Sequence, residues 1–173
     1  MAKPLHIVSG LPTEVPATAV STGAGDAGKL PELGSDGRLD PSLMPTGFSA
    51  DVKVLPATEA LAAGDFVNIY DVSGTSSCRK ADASAASAGK RAHGFVLAAV
   101  ANGANATIYF EGANGQRTGL TAGLTYVLSN AAPGGVLPLS DAPTTAGHIL
   151  QVLGVATSTT EINAEIANPI MRG

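Results

Sequence analysis

The chain has 173 residues, a length that suits one domain or one domain with an extension. Its apolar fraction of 45% is enough for a core, although tryptophan is absent, and only 14% of residues are charged, with a net charge of −4. This balance lacks the basic surface expected of a nucleic-acid-binding protein, and a single cysteine excludes a disulfide framework or a cysteine-based zinc site within one chain.

Residues 1–50 form the first predicted region, an extended and irregular N-terminal arm. This region holds six of the eleven prolines, and proline fixes φ and removes a backbone donor, so it does not fit a helix interior or a central strand. The region is still too apolar for plain disorder, because PLHIVSGL (4–11) and GKLPELGSDGRLDPSLMPTG (28–47) carry side chains that favour burial. An extended arm cannot bury them alone, so we expect it to lie on its own domain or on another subunit.

The segment 28–47 shows this conflict most clearly. Its apolar side chains stand among prolines, glycines and charges: Leu30, Leu33, Leu39, Leu43, Met44 and Pro45. Within it, SDGR (35–38) predicts a turn with Asp36 and Gly37 at its centre.

Residues 51–173 predict an all-β domain, a small barrel or sandwich of about eight to ten short strands. Alternating or β-rich runs cover 52–54, 65–72, 77–81, 93–101, 106–112, 124–129, 134–139, 148–156 and 160–166. Turn signals separate these runs. SGTSS (73–77) predicts a turn, and Asn114–Gly115 predicts a hairpin. The Ala/Ser-rich stretch 81–90 is predicted to be a loop.

No motif for catalysis or for metal binding is present in the sequence. His6 lies in the arm, while His93 and His148 each precede an apolar strand, with no G-x-S-x-G elbow and no histidine spacing of a metal site. Asp36 and Asp40 supply only two carboxylates, too few for a calcium loop. We therefore expect no enzymatic activity, no cofactor and no metal.

The remaining charged residues are interpreted as solvated ends and faces of strands. This applies to the two basic doublets, Arg79–Lys80 and Lys90–Arg91, and to carboxylates such as Asp65. The longest apolar stretch, 95–101, is far shorter than the ~20 residues that a membrane-spanning helix needs. We expect neither a secretory signal nor insertion into a membrane.

The segment 28–47 resembles a pattern of tailed-bacteriophage structural proteins, of the general form G-K-L-x-x-L-(x)-x-x-G-[KR]-L-D-x-S-L-[LM]-P. The matching positions are Lys29, Leu30, Leu33, Gly37, Arg38, Leu39, Asp40, Ser42, Leu43 and Pro45. Later stretches, among them AGDFVNIYD, AHGFVLAAV, ATIYFEG and TGLTAGLTYVLS, are similar to a small β-module at the C-termini of phage head-decoration (cement) proteins and of some fibres.

The resemblance implies a virion protein that is made in the host cytoplasm and binds the outer surface of the head. It would act as a homotrimer that bridges subunits of the major capsid protein. Leu30, Leu33, Leu39, Leu43, Met44 and Pro45 would be the residues that bind the other subunits or the capsid. Burying one leucine is worth about 1.5–3 kcal/mol, so four on each of three arms contribute on the order of 20 kcal/mol before the ordering entropy.

Two other functions stay open. The same segment also fits a short tail or head fibre that attaches to a host receptor, and the outer loops leave room for a ligand on the host surface. A hydrolase of host polysaccharide has only the numerous serines and aspartates in its favour, and turns account for those.

Overall fold

The computed structural model describes residues 5–14, 17–44, 51–84 and 89–173. The chain divides into two compact units, Met1–Ala50 and Asp51–Gly173. The prediction of an all-β fold is confirmed, since two five-stranded antiparallel sheets make up most of the second unit. In these described ranges we find no helix with the length and apolarity needed to cross a membrane.

The first unit begins with a two-stranded antiparallel hairpin, β1 (Leu5–Val8) and β2 (Leu11–Glu14). Ser9 and Gly10 connect the strands with φ values of 53° and 82°. Two successive residues with positive φ give the turn twist that matches paired strands. The sequence analysis did not predict this hairpin. Pro12 is tolerated because both strands are edge strands.

The rest of the first unit folds back on itself more than an extended arm would. Thr18 forms a bridge with Pro31, in which the Thr18 amide donates to the Leu30 carbonyl at 2.8 Å and the Glu32 amide donates to the Thr18 carbonyl at 3.0 Å. Short 3-10 turns cover Ala24–Asp26 and Pro41–Leu43. Pairing between 18 and 30–32 therefore encloses a loop of about ten residues.

The second unit consists of short strands joined by turns. Their bounds are β3 (Val52–Pro56), β4 (Phe66–Val72), β5 (Thr75–Lys80), β6 (Gly94–Phe95), β7 (Asn105–Tyr109), β8 (Gly112–Asn114), β9 (Thr125–Leu128), β10 (Val136–Pro138), β11 (Ile149–Leu150), β12 (Val152–Ala156), β13 (Ile162–Ala164) and β14 (Ile170–Met171). The two large sheets have the orders β3-β7-β6-β4-β5 and β10-β9-β12-β13-β8, and β11 pairs with β14.

The first of these sheets is drawn towards closure where β3 ends. Ala57 bridges Cys78 of β5, and the Thr58 amide donates to the Cys78 carbonyl at 2.9 Å. The turn between β4 and β5 lies within the predicted 73–77 but is shorter: Ser73 and Gly74 form it, with φ values of 52° and 86°, and β5 begins at Thr75.

Two local expectations are wrong. Asn114 and Gly115 do not form a hairpin, because Asn114 is fully buried at the end of β8, and β8 pairs with β13. The Asn114 side chain instead donates to the Gly64 carbonyl at 2.9 Å. The predicted strand 93–101 is regular only at Gly94–Phe95. Part of the predicted loop at 81–90, residues 85–88, lies outside the described residues.

Three apolar clusters hold the second unit together. One joins the two large sheets and consists of Phe66, Ala81, Ala83, Ala92, Phe95, Leu128, Ile149, Leu153 and Ala164. The rings of Phe66 and Phe95 lie 5.9 Å apart between centroids, and Phe95 stacks on Tyr109 at 5.7 Å. The other clusters pack on one sheet each, around Ile108 and around Ile162.

We predict that Gly154→Ala destabilises the second unit by about 3 kcal/mol, as overpacking of a tight site does. Gly154 has φ of 149°, and a Cβ there would lie 2.0 Å from the Asn163 carbonyl oxygen of the paired strand β13. Urea unfolding measures the change. Gly115→Ala is the control, because its Cβ would lie no closer than 3.6 Å to another group. Equal midpoints for the two variants would contradict this close approach.

Candidate functional site

The predicted binding residues of the first unit keep much of their apolar surface in solvent. Leu33 is 58% exposed, Leu39 42%, Met44 39% and Leu30 38%. Leu43 is half-buried, and Pro45 lies outside the described residues. We call residues 28–44 the leucine segment.

The whole described part of the first unit shares this property. Among residues 5–14 and 17–44, none whose side chain the structure describes is buried. In the hairpin, Leu5, Ile7 and Leu11 are 66%, 78% and 69% exposed. A unit of this kind leaves its apolar side chains available to another surface.

Both carboxylates of the predicted turn region, Asp36 and Asp40, are occupied by local contacts. The Gly37 amide donates to the Gly34 carbonyl at 2.9 Å, which places Ser35 and Asp36 at the centre of the turn, one residue earlier than the sequence predicts. Gly37 follows with φ of 74°. The Asp36 carboxylate accepts the Arg38 amide at 3.1 Å.

Asp40 has the same kind of role at the next turn. Its carboxylate accepts the Ser42 amide at 2.9 Å. Hydrogen bonding from the Ser42 side chain, and then from this amide, lowers the pKa of Asp40. The Ser42 hydroxyl accepts the Ser21 amide at 2.8 Å, and this hydrogen bond connects two residues that are 21 positions apart in the sequence. Asp36 and Asp40 thus serve as hydrogen-bond acceptors within turns. A pocket of about 150 Å³ is lined by both residues and by Val20.

Asp26 organises the loop that precedes the leucine segment. Its carboxylate accepts the Thr22 amide at 2.6 Å and the Thr22 hydroxyl at 2.8 Å, and it pairs with the Lys29 ammonium at 2.6 Å. These donors lower the pKa of Asp26, with Lys29 as the largest cause. Lys29 is one of the residues that carry the resemblance, and this contact gives it a local structural role.

The described part of the first unit therefore combines a backbone held by short hydrogen bonds with apolar side chains that it covers only in part. Satisfied polar groups need no partner, whereas exposed leucines gain free energy when another surface removes them from water. This arrangement suits binding to a protein surface.

In the second unit, the interpretation of Asp65 as a solvated carboxylate is wrong. It is buried, lies 3.5 Å from the Lys80 ammonium and 4.0 Å from the Arg117 guanidinium, and accepts the Ala62 amide at 2.9 Å. Burial lowers the pKa of Arg117, and the charge of Asp65 opposes that effect. The group is a structural ion cluster beneath the loop that leads into β4.

Two buried amides that the sequence analysis did not single out hold the segment 89–93. Asn68 donates to the carbonyls of Gly89 and Arg91, each at 2.9 Å. Gln151 accepts the Ala92 amide at 2.7 Å and donates to the Ala92 carbonyl at 2.9 Å. In the sequence, the one sign of these residues is an amide side chain within an otherwise apolar run. Such an amide needs hydrogen-bond partners once it is buried.

The predicted histidine positions are partly borne out. His93 and His148 do precede short strands, β6 and β11. His93 is half-buried, and its Nδ1 receives the Ile69 amide at 2.9 Å. The ring of His148 lies 3.4 Å from the Asn130 amide. The side chain of His6 lies outside the described part of the chain.

Comparison of the chain with protein-family models, with curated proteins and with solved structures finds no match.

We predict that the Asp26 carboxyl titrates below the ordinary aspartate value of 3.8. Because the folded-state pKa is lowered, its contribution to the loop is present above the unfolded pKa and is lost only as pH falls through the lower folded value. The loop should therefore keep its Thr22 hydrogen bonds at pH 4. NMR titration of the carboxyl carbon measures this midpoint. Lys29→Gln should raise it and Lys53→Gln should not, and a midpoint at or above 3.8 in the intact chain would refute the arrangement.

Proposed function

We propose that this chain is a capsid decoration (cement) protein of a tailed bacteriophage. In this proposal the first unit binds other copies of the chain and the major capsid protein, and the β-rich second unit stands on the outer surface of the head. The trimer bridges neighbouring capsid subunits and so stabilises the shell.

The observation that carries the proposal is the contrast between the two units. The second unit has three clusters of buried apolar side chains, whereas no described side chain among residues 5–14 and 17–44 is buried, and Leu33, Leu39 and Met44 stay exposed. A unit that buries none of its described apolar side chains leaves them available for association. The resemblance of residues 28–45 to segments of phage structural proteins suggests which association this is, namely binding between proteins of a virion.

The free energy gained by burying these leucines is sufficient to hold a trimer together but modest for a single contact. Each leucine in the segment is already partly covered, so the remaining gain is about half of full burial, on the order of 10 kcal/mol for three arms. Ordering of side chains and the loss of rotational freedom reduce this gain. A trimer then multiplies weak contacts to the capsid, because all three arms engage together.

A short tail or head fibre is the second candidate, because the resemblance of the leucine segment extends to fibres as well. The two candidates share the trimer and differ in location and copy number. A fibre would also place its binding surface for the host on the second unit.

We predict that the intact chain is a trimer at micromolar concentration and that Leu33→Ser combined with Leu39→Ser makes it a monomer. Loss of two half-exposed leucines on each of three arms removes on the order of 5 kcal/mol of association free energy. Light scattering coupled to size exclusion gives the mass.

The control for that experiment is Leu124→Ser combined with Leu139→Ser. These two leucines of the second unit are 45% and 46% exposed, which matches the first pair, and the control variant should remain a trimer. A monomeric intact chain, or the same mass for both variants, would contradict the proposed role of the leucine segment.

We predict that electron microscopy of purified virions that carry this chain shows it in hundreds of copies on the head. Decoration requires repeated occupancy of equivalent capsid sites. A handful of copies at the tail or at one vertex would refute decoration and favour the fibre.

A further inference from the structure

A pocket of about 450 Å³ in the second unit is lined by three basic side chains and by apolar side chains. The basic side chains are Lys90, Arg91 and His93, and the apolar ones are Ile69, Ile149 and Pro169. No acidic side chain is among the described residues that line it. The volume falls within the usual range of small-molecule sites.

The hydrogen bonds around His93 fix which ring nitrogen carries the proton. The Ile69 backbone amide points at Nδ1 from 2.9 Å. A backbone N–H cannot turn away or become an acceptor, so Nδ1 must be the acceptor and the proton of the neutral ring must lie on Nε2. Burial and the charge of Arg91 lower the pKa of His93, which favours this neutral form.

This assignment leaves two donors facing each other in the lining of the pocket. Arg91 Nε lies 2.9 Å from His93 Nε2, and a guanidinium has donors only. Because Nε2 carries a hydrogen, the two groups cannot bond to each other and both lack an acceptor there. Arg91 is exposed, so its side chain is able to turn and share an incoming acceptor with His93.

The pocket rests on a rigid base. Asn68, which is 1% exposed, holds the carbonyls of Gly89 and Arg91, and its own oxygen accepts Arg79 Nε at 3.1 Å. On the other side the buried Gln151 holds both backbone groups of Ala92. These contacts hold the backbone that carries Arg91 and His93 in place before a ligand arrives.

We propose that this pocket binds a carboxylate carried on a small organic body of about the size of an acidic monosaccharide. The planar guanidinium of Arg91 matches a carboxylate with two parallel hydrogen bonds, and His93 Nε2 supplies a further donor. Lys90 adds positive charge. Ile69, Ile149 and Pro169 face the organic body, which inorganic anions lack.

The proposal does not depend on the decoration function, because every residue in it belongs to the second unit. A failure of trimer formation leaves this site intact, and a failure of ligand binding leaves the leucine segment intact. The site also replaces the interpretation of Lys90–Arg91 as a merely solvated strand end.

The test is an NMR titration of the full chain with sodium glucuronate, in parallel with acetate and inorganic phosphate at equal ionic strength. We expect saturable shifts at Ile69 and Arg91, with glucuronate binding at least tenfold more tightly than acetate. Tighter binding of phosphate than of glucuronate would overturn the carboxylate assignment. The absence of saturable shifts with all three probes would overturn the site itself.

Matched variants show whether the two facing donors carry the binding. Arg91→Gln should weaken glucuronate binding at least tenfold, whereas Arg38→Gln, on the first unit, should not change it. His93→Asn keeps an acceptor for the Ile69 amide but removes the Nε2 donor, and it should weaken binding by a similar factor. Unchanged affinity in Arg91→Gln overturns the proposal, as does a ring nitrogen spectrum that places the proton on Nδ1.

Discussion

Among the residues of the first unit that the structure describes, 5–14 and 17–44, no described side chain is buried, so the apolar side chains there have no interior. In the hairpin, Leu5 and Ile7 are 66% and 78% exposed. In the leucine segment, proline and glycine hold the chain in turns, so Leu33 and Leu39 cannot gather on one side of a helix or a sheet. Burial of these side chains therefore requires a surface outside the leucine segment and the hairpin.

The second unit shows what the first one lacks. Its two large sheets share the cluster around Phe66 and Phe95, and amides buried between them find partners on the backbone. Small residues make this close packing workable. At Gly154, for example, the neighbouring strand β13 comes too close for any side chain. The second unit therefore has the buried interior that the described part of the first unit lacks.

Alternation made the longer strands of the second unit predictable. Val67 and Ile69 alternate with Asn68 and Tyr70 in β4, and the pattern alone indicates a strand. The turn at Ser73–Gly74 was also visible, because glycine favours positive φ.

Other features depend on tertiary partners that a single sequence does not display. Asn114–Gly115 has the composition of a hairpin turn, yet the Asn114 side chain donates a hydrogen bond to the carbonyl of Gly64, fifty residues away. The amide of Asn68 and the facing donors of Arg91 and His93 arise in the same way, from segments that meet only in the fold. For the leucine segment, the apolar residues and their tendency to be buried could be predicted from the sequence. The structure adds the turn at Gly34–Gly37, which lies between Leu33 and Leu39.

Oxidation of the two methionines Met44 and Met171 by hydroxyl radicals tests the central claim most directly. Met44 is 39% exposed in the leucine segment, and Met171 is 69% exposed in β14. Mass spectrometry reads the reactivity of both in the free single chain and in the assembled or capsid-bound form. The account predicts that assembly protects Met44 and leaves Met171 reactive. Equal reactivity of Met44 in the single chain and in the assembly would contradict it.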